Sequence, residues 1–211
     1  MKWQDIQNIA KKQPVIETFM LTQSPGELSK VRVQLSRWVK GGRLVQVKRG
    51  AYILSDEYAF QPADWSYIAT FIHRPSYISL HSAMADHGMI PEYVPNITLV
   101  TTKRPKTAEL HKKLLIYQHI KRELFWGYEV RGDKNFPTFF AEPEKAILDL
   151  FYFTSGEITM PFIEEMRFQN MELLNQEKIV KYAKRFKSPK IARATNLLLK
   201  SLDKEKKWET L

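Results

Sequence analysis

Cysteine is absent from this 211-residue chain, which excludes disulfides, thiolate metal sites and thiol nucleophiles and suits a reducing compartment. Glycine is scarce at eight residues, and neither a P-loop nor a dinucleotide fingerprint occurs. No apolar run approaches the ~18 residues that a membrane helix needs. The opening MKWQDIQNIAKK lacks the apolar centre of a secretion signal. The expectation is a soluble cytoplasmic protein without a membrane partner. Acid is also in deficit: 33 Lys and Arg against 23 Asp and Glu give a formal charge of +10 and a pI near 9.6. Residues 1–60 and 161–211 each carry +5, while residues 61–160 balance to zero. A basic excess at both ends favours polyanionic partners without naming one. A chain of this length forms one large or two small domains and buries roughly 70% of its unfolded surface.

The stretch SPGELSKVRVQLSRWVKGGRLVQVKRGAYIL, residues 24–54, organises the rest. Ser24 with Glu27 three residues on reads as a capping box, and Pro25 occupies the first helical position. Leu28, Val31, Leu35, Trp38 and Val39 recur at helical spacing, and Gly41-Gly42 supplies a stop. Lys30, Val33, Gln34 and Arg37 fall roughly opposite the apolar stripe, giving a basic, amide-bearing outer face. Two β-prone runs, 44–47 and 51–54, flank Lys48-Arg49-Gly50, which reads as a tight hairpin. Helix, glycine stop, strand, basic tip and strand follow the order of a winged helix-turn-helix. The expected partner is double-stranded DNA. Lys30, Arg37, Lys48 and Arg49 would contact phosphates, and Gln34 and Arg37 would read base edges. The alternative is an amphipathic helix and hairpin with solvated lysines.

Before that stretch, Trp3, Ile6, Ile9 and Ala10 form a short amphipathic helix, Val15-Ile16 a strand, and 17–23 a second helix. The expected core of this unit is Ile6, Ile9, Ile16, Phe19, Leu28, Val31, Leu35, Val39, Leu44 and Tyr52. The polar stretch SDEYAFQPAD, residues 55–64, marks a boundary. The fold class is therefore α+β, with a winged helix-turn-helix domain at 1–57 and a mixed α/β domain at 64–211 that ends in helices. Within the latter, helices are expected around 64–72, 77–87, 142–153, 161–169 and 178–186, and from Ser188-Pro189 onward. Strands are expected at 97–102, 114–120, 124–130 and 136–141.

Catalytic constellations are thin. His81 and His87 stand about 240° apart around a helix and cannot chelate as an i, i+4 pair; His73, His111 and His119 have no companions at ligand spacing. Glu142, Glu144 and Lys145, with Asp133, raise a metal-dependent nuclease as the enzymatic alternative. Acids where a helix begins are already explained by its dipole, and Lys145 with Asp149 reads as a surface i, i+4 pair. The chain is read as a non-enzyme with no cofactor and no metal. From Lys178 to Arg193 there are seven basic residues and no acid. That run is either a solvated face or an interaction surface for nucleic acid or an acidic protein.

Several of these motifs resemble one family in combination. Gly41-Gly42-Arg43-Leu44-Val45 with Arg49-Gly50-Ala51-Tyr52 is similar to the winged helix of AbiEi-type antitoxins, which belong to bacterial abortive-infection, type IV toxin–antitoxin systems. Tyr77-Ile78-Ser79-Leu80-His81-Ser82-Ala83, Gly88-Met89-Ile90-Pro91-Glu92 and the run from Ile97-Thr98 to Thr101-Thr102-Lys103-Arg104 resemble its central block. Ala141-Glu142-Pro143-Glu144-Lys145-Ala146-Ile147-Leu148-Asp149 resembles its A-x-P-E-K-A signature. The resemblance covers about residues 5–155; beyond that only a helical, basic character matches. It implies a repressor that binds inverted repeats in its own promoter. It further implies a C-terminal domain that counteracts a nucleotidyltransferase-like toxin without a stable complex. No catalytic residues come with it.

Overall fold

Every residue of strand β3, Ala51–Leu54, is buried, because a layer of structure covers each of its faces. The computed structural model describes residues 1–22 and 24–209. Around β3 lie α1 (Trp3–Ala10), β1 (Ile16–Glu17), α2 (Leu28–Lys40) and β2 (Leu44–Lys48), and the antiparallel strands run in the order β1-β3-β2. Side chains alternate across a strand. Ile16, Leu44, Tyr52 and Leu54 therefore pack on Ile6 of α1 and on Val31, Leu35 and Trp38 of α2. Val15, Val47, Ala51 and Ile53 face the other way, against Tyr67, Ile68 and Phe71 of α3 (Trp65–Ile72). Each large aliphatic side chain so enclosed contributes on the order of 1.5–3 kcal/mol. The 55–64 stretch is thus a connection between two units that share a core.

The chain then builds a six-stranded mixed sheet in the order β6-β7-β5-β4-β9-β8. Its strands are β4 (Ser76–Ile78), β5 (Ile97–Thr101), β6 (Lys106–Leu110), β7 (Lys113–His119), β8 (Tyr128–Arg131) and β9 (Thr138–Ala141). The β4–β9 and β5–β7 pairs are parallel and the others antiparallel. Helix α4 (Leu80–Asp86) packs beside α5 (Pro143–Phe153), and α7 (Gln176–Arg185) and α8 (Pro189–Glu209) pack on α5 in turn, with α6 (Met160–Glu165) against α8. The architecture is mixed α+β. No described helix is long and apolar enough to cross a membrane.

Some local expectations give way. The helix expected over 17–23 shrinks to a 3-10 turn, Thr18–Met20, because Glu17 is already paired in β1 and Thr18 is anchored to Gly50; Gln23 lies outside the described residues, as do Thr210 and Leu211 of the expected second domain. Phe19 is consequently 65% exposed and leaves the core, while Trp38 enters it. The Ser24–Glu27 box does not form. Pro25–Glu27 winds as a 3-10 turn, so the α-helix starts at Leu28, and Thr22 supplies the hydroxyl that meets Glu27 Oε2 (3.2 Å) and accepts from Ser24 N–H (3.1 Å). Tyr77 and Ile78 are strand, Tyr77 opposite Val100 and Ile78 between Leu99 and Phe140, and the helix begins only after Ser79. The strand expected over 124–130 begins only at Tyr128, after a 3-10 turn at Arg122–Leu124. Helix α6 stops at Glu165, where Arg167 takes φ +43°.

Candidate nucleic-acid interface

Helix α2 contains no acidic residue and four cations, Lys30, Arg32, Arg37 and Lys40. Its apolar stripe, Val31, Leu35 and Trp38, is fixed in the core, so the opposite side must face solvent. Gly42, at φ +71°, ends it: Arg43 N–H reaches back to the Trp38 carbonyl (2.9 Å) and Gly42 N–H to that of Val39 (3.1 Å). Arg32, Val33, Ser36, Arg37 and Lys40 are exposed, as is Lys30. Gln34 is not on that outer face. It is half-buried in a cleft of about 520 Å³ between α1 and the start of α2, where Lys30 also sits beside Asp5 and Glu27. The sequence alone does not place Arg32 and Lys40 on this face; the same 100° arithmetic turns them toward solvent once the stripe is Val31, Leu35 and Trp38, with Leu28 and Val39 only half-buried.

The β2–β3 hairpin turns at Arg49-Gly50, with Gly50 at φ +76° and its carbonyl accepting from Thr18 N–H (2.8 Å) and Thr18 Oγ1 (3.0 Å). The register slips between Gln46 and Lys48. This bulge puts Lys48 on the same side as Val47, toward α3. Lys48 Nζ donates to the Phe71 carbonyl (3.3 Å) and stands 3.7 Å over the Phe71 ring. Burial lowers its pKa; the charge of Glu17 opposes that shift, and Arg74 and Lys103 add to it. Of the five expected contact residues, Lys30, Arg37 and Arg49 are exposed, Gln34 is half-buried, and Lys48 is a clamp between the units. Arg43 is exposed next to them, its guanidinium 5.5 Å from the Trp3 ring.

Glu142 and Glu144 meet at Lys178, and Lys145 points away from them into the core. Glu142 caps α5 and accepts from Tyr182 Oη (2.6 Å). Burial, then this bond, raises the Tyr182 pKa to about 12. Glu144 accepts from Asn175 N–H (3.0 Å), with Lys178 Nζ 3.0 Å from its other oxygen and 3.3 Å from Glu142. Lys145 turns inward. With Asp149 it makes a fully buried ion pair, contrary to the surface pair expected from the spacing. Tyr77 Oη accepts from Lys145 Nζ (2.8 Å) and donates to Asp149 (2.9 Å), and Ser79 Oγ donates to the same carboxylate oxygen (2.8 Å). Burial, then Asp149, pushes the Tyr77 phenol well above its ordinary range, and burial lowers the Lys145 ammonium against the pull of Asp149. Such a closed network fixes α5 to β4 and offers no opening for a substrate.

Within 178–193, Lys178 is held by the two glutamates, Arg185 stacks 4.2 Å over Trp126, Lys190 donates to the Thr154 carbonyl, and Arg193 pairs with Glu157 (2.5 Å). Lys181, Lys184 and Lys187 remain outward. His87, His119 and His73 each bond a backbone carbonyl, at Ala141 (2.8 Å), Lys103 (2.9 Å) and Arg104 (3.2 Å), and His111 bonds Asp56 (2.8 Å). Among the described residues, no group of three His, Cys, Asp or Glu side chains is placed to hold a metal.

No known family model matches the chain, and no curated protein does.

Proposed function

We propose that the chain binds double-stranded DNA as a transcriptional regulator, laying α2 in the major groove. The observation that carries this reading is the α1-β1-α2-β2-β3 order around a β1-β3-β2 sheet, with an apolar side of α2 fixed in the core and four exposed cations elsewhere on the helix. That arrangement matches the parts of a winged helix-turn-helix, in which a 3-10 turn replaces the middle helix. At 1.5 Å per residue α2 is roughly 20 Å long, and a groove ~12 Å wide admits it. Arg37 is the base reader, since a guanidinium pairs with two acceptors of guanine. Lys30, Arg32, Lys40 and the turn residue Arg49 bind phosphates, and Gln34 serves the rim. Lys48 belongs to the fold.

The antitoxin role rests on the sequence resemblance to the AbiEi type. The signature around Glu142–Asp149 supports it as a fold-building motif: Pro143 opens α5, Glu144 ties down Asn175, and Lys145 with Asp149 closes the core. On this reading the protein represses its own promoter at inverted repeats and neutralises a nucleotidyltransferase-like toxin in the cytoplasm. The DNA role is tested by competition binding on the chain's own promoter fragment. Arg37→Ala is expected to relax preference at one base position by ~1–3 kcal/mol, and unchanged discrimination refutes the assignment. The antitoxin role is tested by co-expression with the product of the adjoining reading frame; growth arrest that persists contradicts it.

A further inference from the structure

Between the two units lies a cavity of about 670 Å³, within the range of small-molecule sites. Its walls are aromatic: Tyr67 and Phe71 of α3, Phe125 and Tyr128 at the start of β8, and Phe136 and Phe139 at the entry to β9. These rings brace one another. Tyr67 meets Phe136 edge-on at 5.7 Å, Tyr128 meets Phe139 edge-on at 5.8 Å, and Phe125 lies 5.3 Å from Tyr128. The opposite wall is β1 and its flanks, with Val15, Glu17 and Met20.

Two cations line the space, Arg74 and Lys134. Arg74 stands 4.9 Å over the Phe71 ring, which Lys48 also approaches, at 3.7 Å. Neither Arg74 nor Lys134 has a carboxylate partner among the described residues. Glu17, the one acid in the wall, acts on Lys48 and on Tyr67, and Arg74 hydrogen-bonds the Tyr67 side chain. The result is a braced apolar slot whose lining carries two cations against one acid. A flat ring gains area and edge-to-face contacts there, and an attached anion gains charge-assisted hydrogen bonds.

From the aromatic walls and the two cations that lack a carboxylate partner among the described residues, we propose that this junction cavity is a binding site for a planar aromatic anion of drug-like size, an aryl carboxylate, sulfonate or phosphate. The ring lies among Phe71, Phe125 and Phe139, and the acid group meets Arg74 and Lys134. The site is independent of the DNA reading, because it uses none of the outer residues of α2. Since its walls come from both units, an occupant also stabilises their contact by mass action.

The probes are 1-anilinonaphthalene-8-sulfonate and N-phenyl-1-naphthylamine, which share ring systems and differ in the sulfonate. Calorimetric titration of the full chain is expected to show one saturable site for the sulfonate, with the neutral amine binding about tenfold more weakly. Arg74 and Lys134 are both exposed, where solvent screens an ion contact, so Arg74→Gln and Lys134→Gln should each weaken the sulfonate about threefold, and the two together about tenfold, while leaving the amine unchanged. Lys181→Gln, on an exposed remote helix face, removes the same charge and should change neither. Equal affinity for the two probes, equal loss in Lys181→Gln, or no saturable binding overturns the proposal.

Discussion

Replacing Lys145 by methionine tests the buried network that joins α5 to the sheet. The thioether keeps the stem, which packs within 3.1–3.2 Å of where a Cβ on Gly127 would stand, so shape is largely conserved. Only the ammonium goes. Asp149 is then fully buried with two hydroxyl donors, Tyr77 and Ser79, and no counter-charge. Breaking a buried pair from one side costs about 3–5 kcal/mol, against a total stability of about 5–15 kcal/mol for a domain. The same rule predicts that Lys145→Met with Asp149→Asn recovers most of the loss, because the amide still accepts from both hydroxyls without a charge to strand. Urea unfolding with linear extrapolation measures this. With a slope of about 2–3 kcal/mol per molar, the single variant moves the midpoint down by on the order of 1–2 M, and the double variant lies well above it. A single variant that loses less than about 1 kcal/mol, or a double variant that loses the sum of the two singles, refutes the buried-pair account.

Other outcomes follow from the same geometry. Lys48→Met removes a cation from the Phe71 ring and should cost about 1 kcal/mol in urea unfolding, while leaving the salt dependence of DNA binding unchanged; a flatter slope would place Lys48 on the phosphates after all. Alkali should destabilise the fold, because Tyr77, Tyr117 and Tyr182 all have raised pKa values, chiefly through burial. A phenol whose folded pKa exceeds its unfolded value gives stability that is complete below pH 10 and is lost as pH rises through the folded pKa, about 12 for Tyr182. Tyr182→Phe should therefore shallow the decline between pH 10 and 12 in melts followed by circular dichroism, and an unchanged decline contradicts the assignment.

The legibility of the sequence varied with the kind of signal. Helix α2 and its glycine stop were readable because a periodic apolar stripe and a left-handed terminator act locally. Helix α5 was readable from Pro143 and its apolar run, yet its charges were misjudged. Glu144 through Phe151 are all buried, and a helix enclosed on every side turns an i, i+4 pair from a surface ornament into a core element. Tyr77-Ile78 read as helix because a short apolar run has no decisive period; pairing with β5 and β9 decided it. The direction of Lys48 depends on a bulge that alternation along one strand does not contain. The junction cavity was invisible, since its walls come from segments up to 126 residues apart, Gln13 and Phe139.

The central claim is that the outer side of α2 meets phosphate and base. Its most direct test is the salt dependence of full-chain binding to the promoter fragment, compared with Arg32→Gln/Arg37→Gln/Lys40→Gln. Each lost phosphate contact lowers the slope of log K against log salt by ~0.9. With Arg32 and Lys40 on phosphates and Arg37 on a base, the account predicts a slope flatter by about 2 and a loss of preference for the promoter over unrelated duplex. An unchanged slope and unchanged preference would contradict it.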